Sequence, residues 1–237
     1  MKQPLLTPTE LLAIEAAVRE AEARTTGEIY CVLAEESSDY HATPLAWAAG
    51  VALLAPSLLL AGGVHVTAPD LGVFGGWSVA QVEDIGEATA RAALEGTLLL
   101  QAVLFIATAL LVNIRSVRHA LTPRGMKRDR VLQRAEEQFI GKNLSATRER
   151  TGVLIYVSAA ERMAELIADE SIHAEVDVSV WEKAMATLTA GLKRGDAAAG
   201  FIDAIGLCAN VLAEKFPAHP GDNPNELPDA VVVLPRV

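Results

Sequence analysis

Two long runs of apolar residues without a charge constrain this chain more than any other feature of its sequence. The first run occupies residues 45–64 and the second residues 96–114, and neither contains Asp, Glu, Lys or Arg. Since a helix rises about 1.5 Å per residue, each run can cross a hydrocarbon layer about 30 Å thick. Neither run has a polar face at the helical repeat, which argues against a pair of soluble core helices. The sequence therefore predicts a hairpin of two transmembrane helices in a lipid bilayer.

The charges that flank the two runs predict the orientation of this hairpin. The loop between them, residues 65–95, carries one basic residue and five acids, whereas residues 115–134 carry a single acid and many basic residues. These basic residues are Arg115, Arg118, Arg124, Lys127, Arg128, Arg130 and Arg134. Because basic residues accumulate on the cytoplasmic side of a membrane, we predict that the loop faces outward and that both termini are cytoplasmic.

The overall charge disfavours one large class of partners. The 237 residues include 20 Lys and Arg against 30 Asp and Glu, a net charge of −10. Proteins that bind nucleic acids neutralise phosphates with basic residues, so we predict no nucleic-acid partner. Two cysteines, Cys31 and Cys208, are too few for a disulfide framework, and we interpret them as buried apolar side chains.

The residues outside the hairpin amount to a single domain in two pieces. We predict that residues 1–44 hold an N-terminal helix and the first strand, and that residues 115–237 hold the rest. Within the second piece we predict a basic juxtamembrane helix over 115–141, a core over 150–216 and a proline-rich tail over 217–237. Both pieces must meet on the same side of the membrane.

Two apolar runs in these pieces predict the central strands of a sheet. Thr26-Gly27 precedes the run 28–33, and Thr151-Gly152 precedes the run 153–158. Short apolar runs that are rich in β-branched and aromatic residues are typical of strands buried on both faces. We therefore predict an α/β fold in which helices flank a small mixed sheet, with the transmembrane hairpin as an insertion.

Helix and strand signals elsewhere complete this fold. Thr7-Pro8-Thr9-Glu10 is a capping box with proline at the first helical position, and it predicts the N-terminal helix. Segment 162–168 is interpreted as the hairpin partner of the second strand. The other predicted elements are a helix after Thr122-Pro123 with Leu132, Ala135 and Phe139 on its buried stripe, helices over 178–193 and 196–215, and a short strand over 230–234 that covers the sheet edge.

In these features the chain resembles the TPM domain family. The resemblance covers 1–44 and 135–237. It rests on the N-terminal capped helix before Thr-Gly and a strand, and on the sequence TGVLIYVS from Thr151 to Ser158 with its charged hairpin return. It also rests on the acidic loop that ends at Asp177 before a helix, and on the step Lys193-Arg194-Gly195-Asp196 into the last helix.

The resemblance implies an α/β module of a kind found in thylakoid-lumen proteins linked to photosystem repair, in bacterial membrane proteins and in an animal receptor modulator. For this chain, in which we find no common catalytic motif, we predict a membrane-anchored, non-enzymatic module for interaction with other membrane proteins, or for their assembly and quality control. The family is also linked to acid phosphatase activity, which implies the alternative of a metal-assisted phosphomonoesterase that uses the carboxylates of segment 169–177. A hairpin inserted after the first strand departs from the usual family pattern, in which a signal peptide places the domain outside the membrane.

The candidate site residues are carboxylates. The segment 169–177 contains Asp169, Glu170, Glu175 and Asp177, and Asp196 begins a later helix. One interpretation is a site for Ca²⁺ or Mg²⁺ formed by Asp169, Glu170, Asp177 and Asp196, since hard cations bind several oxygen ligands. The other, which the sequence favours because the spacing is not that of an EF-hand, is a solvated loop with Asp177 and Asp196 capping helices. We find none of the common nucleotide-binding, hydrolase or zinc motifs, and we predict no other cofactor.

Overall fold

The computed structural model describes residues 5–63, 85–219 and 225–236. The chain divides into two compact units, of which one combines residues 1–39 with 124–237 and the other spans residues 40–123. The sequence predicted a transmembrane hairpin over 45–114. The second unit is longer, because residues 40–44 and 115–123 also belong to it. Three parts of these predictions lie outside the described residues. They are the end of the first apolar run at Val64, most of the loop between the two runs, over 65–84, and positions 220–224 of the tail.

Eight α-helices occur in the described residues. In chain order they are α1 (Pro8–Glu22), α2 (Ala42–Ala61), α3 (Ile85–Asn113), α4 (Arg115–Leu121), α5 (Arg124–Gly141), α6 (Glu170–Glu175), α7 (Val178–Arg194) and α8 (Ala197–Lys215). A single 3-10 turn over Leu144–Ala146 precedes the second strand. The capping box of α1 is confirmed: Glu10 N donates to Thr7 Oγ1 at 3.3 Å, and Thr7 N donates to Glu10 Oε2 at 2.6 Å.

Four described strands form one mixed sheet, as the sequence predicted. They are β1 (Glu28–Ala34), β2 (Gly152–Ser158), β3 (Met163–Ala168) and β4 (Val232–Leu234), in the spatial order β3-β2-β1-β4. The two central strands β1 and β2 are parallel, β3 returns antiparallel to β2, and β4 runs parallel to β1. The short tail strand therefore covers the edge of β1, as expected.

Every residue of β1 and β2 is buried, because helices cover both faces of the sheet. On one face, Ile29, Cys31 and Leu33 join a core with residues of α1, α7 and α8. On the other face, Tyr30, Val32 and Ala34 pack in a second core with Val131 and Ala135 of α5 and Leu144 of the 3-10 turn. The prediction of strands buried on both faces is confirmed.

Three local features differ from the sequence predictions. The basic helix predicted over 115–141 is two helices, α4 and α5, because Pro123 disfavours a helical conformation at Thr122, which has an extended backbone with ψ 124°. The acidic loop 169–177 contains the short helix α6. The loop predicted over 65–95 ends earlier than expected, because α3 already begins at Ile85.

The unit 40–123 consists of α2, α3 and α4. Large apolar side chains on α2 and α3 are exposed; Leu58 is 71% exposed and Leu110 is 67% exposed. Side chains near the ends of the unit contact each other: Thr43 Oγ1 lies 3.1 Å from Thr122 Oγ1, and Trp47 Nε1 donates to Leu121 O at 3.3 Å. The start of α2 and the end of α4 are therefore adjacent.

Three described helices are long and apolar enough to cross a membrane, which points to a membrane protein. They are α2, the part Ala93–Asn113 of α3, and α8. The surroundings of α8 differ from those of the other two. Eight of its residues are buried, among them Phe201, Ile205, Cys208 and Leu212, and they belong to the core shared with α1 and α7.

Candidate functional site

The four predicted carboxylates lie at the starts of three different helices. Asp169 caps α6, where its Oδ1 accepts hydrogen bonds from Ser171 N and Ser171 Oγ, both at 3.1 Å. Its side chain is 3% exposed, and Arg150 Nε lies 3.8 Å from the same oxygen. The adjacent Glu170 is exposed in the first turn of α6.

Asp177 and Asp196 also cap helices, as one of the two interpretations predicted. Asp177 Oδ1 accepts from Ser179 N at 2.8 Å at the start of α7, and Asp196 Oδ1 accepts from Ala199 N at 3.1 Å at the start of α8. Hydrogen bonds from Ser179 lower the pKa of Asp177, because they stabilise its charged form.

A site for a hard cation requires several ligand oxygens that converge on one point. Among the described residues, no group of three carboxylate, imidazole or thiol ligands with atoms within 4.8 Å of one another includes Asp169, Glu170, Asp177 or Asp196. The structure therefore gives three of these carboxylates a capping role and places them on separate helices.

A buried polar cluster lies at the carboxyl ends of β1 and β2, where sequence reasoning placed no site. We call it the strand-end cluster, and it consists of Ser37, Tyr156, Ser158 and Glu161. Ser37 Oγ lies 3.0 Å from Tyr156 OH and 2.8 Å from Ser158 Oγ. Ser37 N donates to Glu161 Oε2 at 3.3 Å, and Ser158 Oγ donates to the same carboxylate oxygen. All four residues are buried.

The parallel pairing of β1 and β2 brings these residues together. Ala34 is the register partner of Ser158, so the two strands end at the same level. The backbone continues this pairing beyond the strands, since Ala159 N donates to Ala34 O at 3.0 Å and Ala160 N donates to Glu35 O at 3.1 Å. In α/β sheets the crevice at the carboxyl ends of parallel strands is the usual position of a ligand site.

A small cleft adjoins the strand-end cluster. Its volume is about 140 Å³, and it is lined by Ser37 and Ser38 and by four residues of α5, namely Arg130, Gln133, Arg134 and Glu137. Arg134 is paired with Glu137 at 2.7 Å, and Arg130 donates to Gln133 Oε1 at 2.9 Å. Hydroxyl and guanidinium groups of this kind suit a small anion such as a phosphoryl group.

Two buried carboxylates lie at the same end of the sheet. Oxygens of Glu36 and Glu161 come within 4.8 Å of each other, and each residue is less than a tenth exposed. Carboxylate oxygens so arranged can share a proton or contribute to the binding of a hard cation. Burial raises the pKa of Tyr156, although the hydrogen bond with Ser37 opposes that effect, so its hydroxyl is a protonated donor at neutral pH.

A second group of buried carboxylates lies at the opposite end of β1. We call it the acidic pocket; it has a volume of about 190 Å³, and Arg19, Glu22, Ala23, Glu28, Asn225 and Asp229 line it. Glu22 Oε1 accepts from Ile29 N at 2.9 Å, and Glu28 Oε2 accepts from Leu227 N at 3.0 Å. Asp229 Oδ2 accepts from Arg19 Nε at 3.2 Å. These contacts connect the C-terminal tail to α1 and β1.

Burial sets the ionisation of this pocket. It raises the pKa of Glu22 to about 8, with further contributions from the nearby carboxylates of Glu28 and Asp229. Burial also raises the pKa of Glu28. Glu22 is therefore mostly neutral at pH 7, and its proton can be shared with Asp229 through the hydrogen bond between their side chains.

The described fold defines an α/β protein with a mixed four-stranded sheet and apolar helices long enough to cross a membrane. No protein-family model matches the sequence, and no curated protein matches it at a significant level. The fold is similar to the NMR structure of the BA42 protein from the psychrophilic bacterium Bizionia argentinensis. The TM-score is 0.54 and the identity 18%, over 98% of each chain. At this identity the similarity shows a shared fold alone.

Proposed function

We propose that this chain is an integral membrane protein with two spans, α2 and α3, which anchor a TPM-like α/β domain at the cytoplasmic face. There the domain acts as a non-enzymatic module for interaction with other membrane proteins, or for their assembly and quality control. The exposed apolar surface of α2 and α3 carries the proposal. Soluble proteins rarely expose contiguous apolar surface of this extent, whereas a bilayer solvates it without cost.

The packing of α8 supports two spans rather than three. Phe201, Ile205 and Cys208 are at most 1% exposed, in a core that also contains residues of β1 and β2. If α8 crossed the bilayer, these side chains would leave that core and expose the sheet. Membrane insertion would also place the capping carboxylate of Asp196 close to hydrocarbon, where a charge is costly.

The contacts at the ends of the unit 40–123 support a hairpin. Thr43 and Thr122 lie side by side, so the chain enters and leaves this unit at one place. Two antiparallel spans produce this arrangement, and they leave residues 1–39 and 124–237 on one side of the membrane to complete a single sheet. The basic residues after the second span favour the cytoplasm for that side.

The order of the described elements supports the TPM-like assignment. A capped helix, two strands that each follow Thr-Gly, a return strand and two helices with aspartate caps occur in the order of the sequence features on which the resemblance rests.

Orientation can be measured with single cysteines, because Cys31 and Cys208 are buried and burial raises the pKa of the Cys31 thiol. We expect Glu136→Cys, at an exposed position on α5, to react with a membrane-impermeant maleimide only after cells are permeabilised. Gly76→Cys, between the two spans, is the matched control and should react in intact cells. The reverse pattern would contradict cytoplasmic termini, and labelling of both in intact cells would contradict the hairpin.

A second candidate function is a phosphomonoesterase, and the cleft beside the strand-end cluster favours it. In this alternative Arg130 and Arg134 bind the phosphoryl group, and Glu36 with Glu161 holds a divalent cation that polarises it. This placement differs from the predicted carboxylate segment 169–177. A site in that segment would require Asp169 and Asp177 to leave the helices that they cap.

A phosphatase assay separates the two candidates. The intact protein, purified in detergent, is incubated with p-nitrophenyl phosphate with and without Mg²⁺ or Ca²⁺. If the module is non-enzymatic, the hydrolysis rate equals that of the Glu161→Gln variant with every cation. A cation-dependent rate that falls by roughly 100-fold or more in both Arg134→Ala and Glu161→Gln would overturn this and establish the enzyme. Activity that falls only in the Asp169→Ala, Asp177→Ala double variant would place the site in segment 169–177.

A further inference from the structure

The described sheet has two edge strands, β3 and the three-residue β4, and no described strand pairs with the outer edge of β3, which is the longer of the two. Asp169 N donates to Gly152 O at 3.0 Å, which sets the alternation of the antiparallel ladder. Met163, Glu165 and Ile167 therefore direct their backbone groups toward β2, and Ala164, Leu166 and Ala168 direct theirs away from the sheet. Such an edge is a template for a further strand.

A groove of about 400 Å³ runs along this edge. Arg128 of α5 lines it from one side of the sheet. Residues of α7 line it from the other side, with consecutive residues 162–166 between them; these α7 residues are Trp181, Glu182, Met185 and Thr189. Because helices from both layers contribute, the groove lies at the edge of the sheet rather than on a face. Met163 and Met185 give it an adaptable apolar lining.

From this geometry we infer that two copies of the chain pair through β3, antiparallel about a twofold axis at Leu166, to form a continuous eight-stranded sheet. In this register Leu166 lies opposite Leu166 of the partner subunit, and Ala164 lies opposite Ala168 of the partner subunit. The outward backbone groups then form three hydrogen-bonded pairs, which amount to about six hydrogen bonds. The pairing is isologous, so one edge serves both subunits.

Charge complementarity favours a second copy as the occupant. The register brings Arg162, which directly precedes β3, near Glu170 of the partner subunit, which begins α6, and the twofold axis repeats this contact at the other end. Both side chains are exposed in the described structure. Opposite charges at the two ends of the paired strands attract each other, and no like charges lie directly opposite within β3 in this register.

Glu165 is the single charged residue of β3. Charged residues on an edge strand commonly prevent pairing with another strand, so the charge of Glu165 must be balanced in the dimer. Glu165 lies opposite Ile167 of the partner subunit, and its charge interacts favourably with Arg128 on the same side of the sheet. The small side chains of Ala164 and Ala168 leave room for the two strands to approach. The pairing depends neither on the proposed activity nor on the orientation in the membrane.

Charge reversal tests the register with the full chain in detergent. We expect the wild type to be a dimer by light scattering coupled to size-exclusion chromatography. Arg162→Glu and Glu170→Arg should each weaken the dimer by roughly tenfold or more, because each variant replaces two attractive contacts with two repulsive ones. The double variant Arg162→Glu, Glu170→Arg restores both contacts and should dimerise like the wild type. Circular dichroism verifies that each variant is folded.

Crosslinking with a bifunctional maleimide provides a second measurement. Residues of a hydrogen-bonded antiparallel pair have Cα atoms about 5.5 Å apart, which a short bifunctional maleimide can span. Leu166→Cys should therefore form a covalent dimer with this reagent, whereas Ala186→Cys on the exposed face of α7 should not. A monomeric wild type, a dimer that charge reversal leaves unchanged, or equal crosslinking of both variants would overturn the inference, the last two because association would then occur elsewhere.

Discussion

Gly191→Ala is expected to destabilise the α/β domain by about 3 kcal/mol or more, enough to unfold much of the protein near physiological temperature. Gly191 lies where α7 crosses α8. A Cβ atom at this position would lie 2.6 Å from Gly200 Cα and 2.9 Å from Asp196 O. These neighbours are backbone atoms, which cannot rotate away as a side chain can, so the two helices would have to separate.

Gly206→Ala is the matched control for this substitution. Gly206 also lies in α8, but a Cβ atom there meets nothing within 4 Å. Alanine favours the helix by about 0.5–1 kcal/mol relative to glycine, so this variant should be slightly more stable than the wild type. Thermal unfolding of the intact protein in detergent, followed by circular dichroism, provides the comparison. Equal melting temperatures for Gly191→Ala and the wild type would contradict the packing of α8 against α7 and reopen α8 as a membrane span.

Features encoded in short segments were predicted well from the sequence. The capping box at Thr7, the strands after the two Thr-Gly pairs and the return strand β3 depend on neighbouring residues and on hydrophobic pattern. The buried stripe of α5 was less accurate. Val131 and Ala135 are buried, whereas Leu132 is 40% exposed, because the position of the sheet rather than the helical pattern alone decides which side of the helix is covered.

The polar sites could not be predicted in this way, because each combines residues far apart in the sequence. The strand-end cluster requires Ser37 to meet Glu161, which follows only from the register of β1 with β2. The acidic pocket likewise requires Asp229 of the tail to reach Arg19 of α1. By contrast, the carboxylates of segment 169–177 are conspicuous in sequence because they are adjacent. This adjacency made them candidates for a cation site. In the structure Asp169 and Asp177, and likewise the more distant candidate Asp196, each cap the start of a helix.

Glu22→Gln is expected to remove a pH-dependent loss of stability from the domain. The pKa of Glu22 rises from an ordinary value of 4.5 to about 8 on folding, mainly because the side chain is buried. Below pH 4.5 the folded and unfolded chains both carry the proton, and the group costs nothing. Between pH 4.5 and 8 the unfolded chain releases the proton while the folded chain retains it. The free energy of unfolding therefore falls by up to about 1.4 kcal/mol per pH unit. Above pH 8 the loss is complete.

The neutral amide of glutamine has the same shape and can still accept the hydrogen bond from Ile29 N. We therefore expect the variant and the wild type to melt at similar temperatures near pH 5, and the variant to be more stable at pH 8.5 by on the order of 3 kcal/mol. Glu28 shares the pocket and its pKa is also raised by burial, so both proteins retain some pH dependence and the difference between them isolates Glu22. Glu20→Gln, at an exposed position on α1, should follow the wild type at every pH. If Glu22→Gln also followed the wild type, Glu22 would be ionised in the folded protein, and the acidic pocket would then need a cation beyond Arg19 to balance three buried carboxylates.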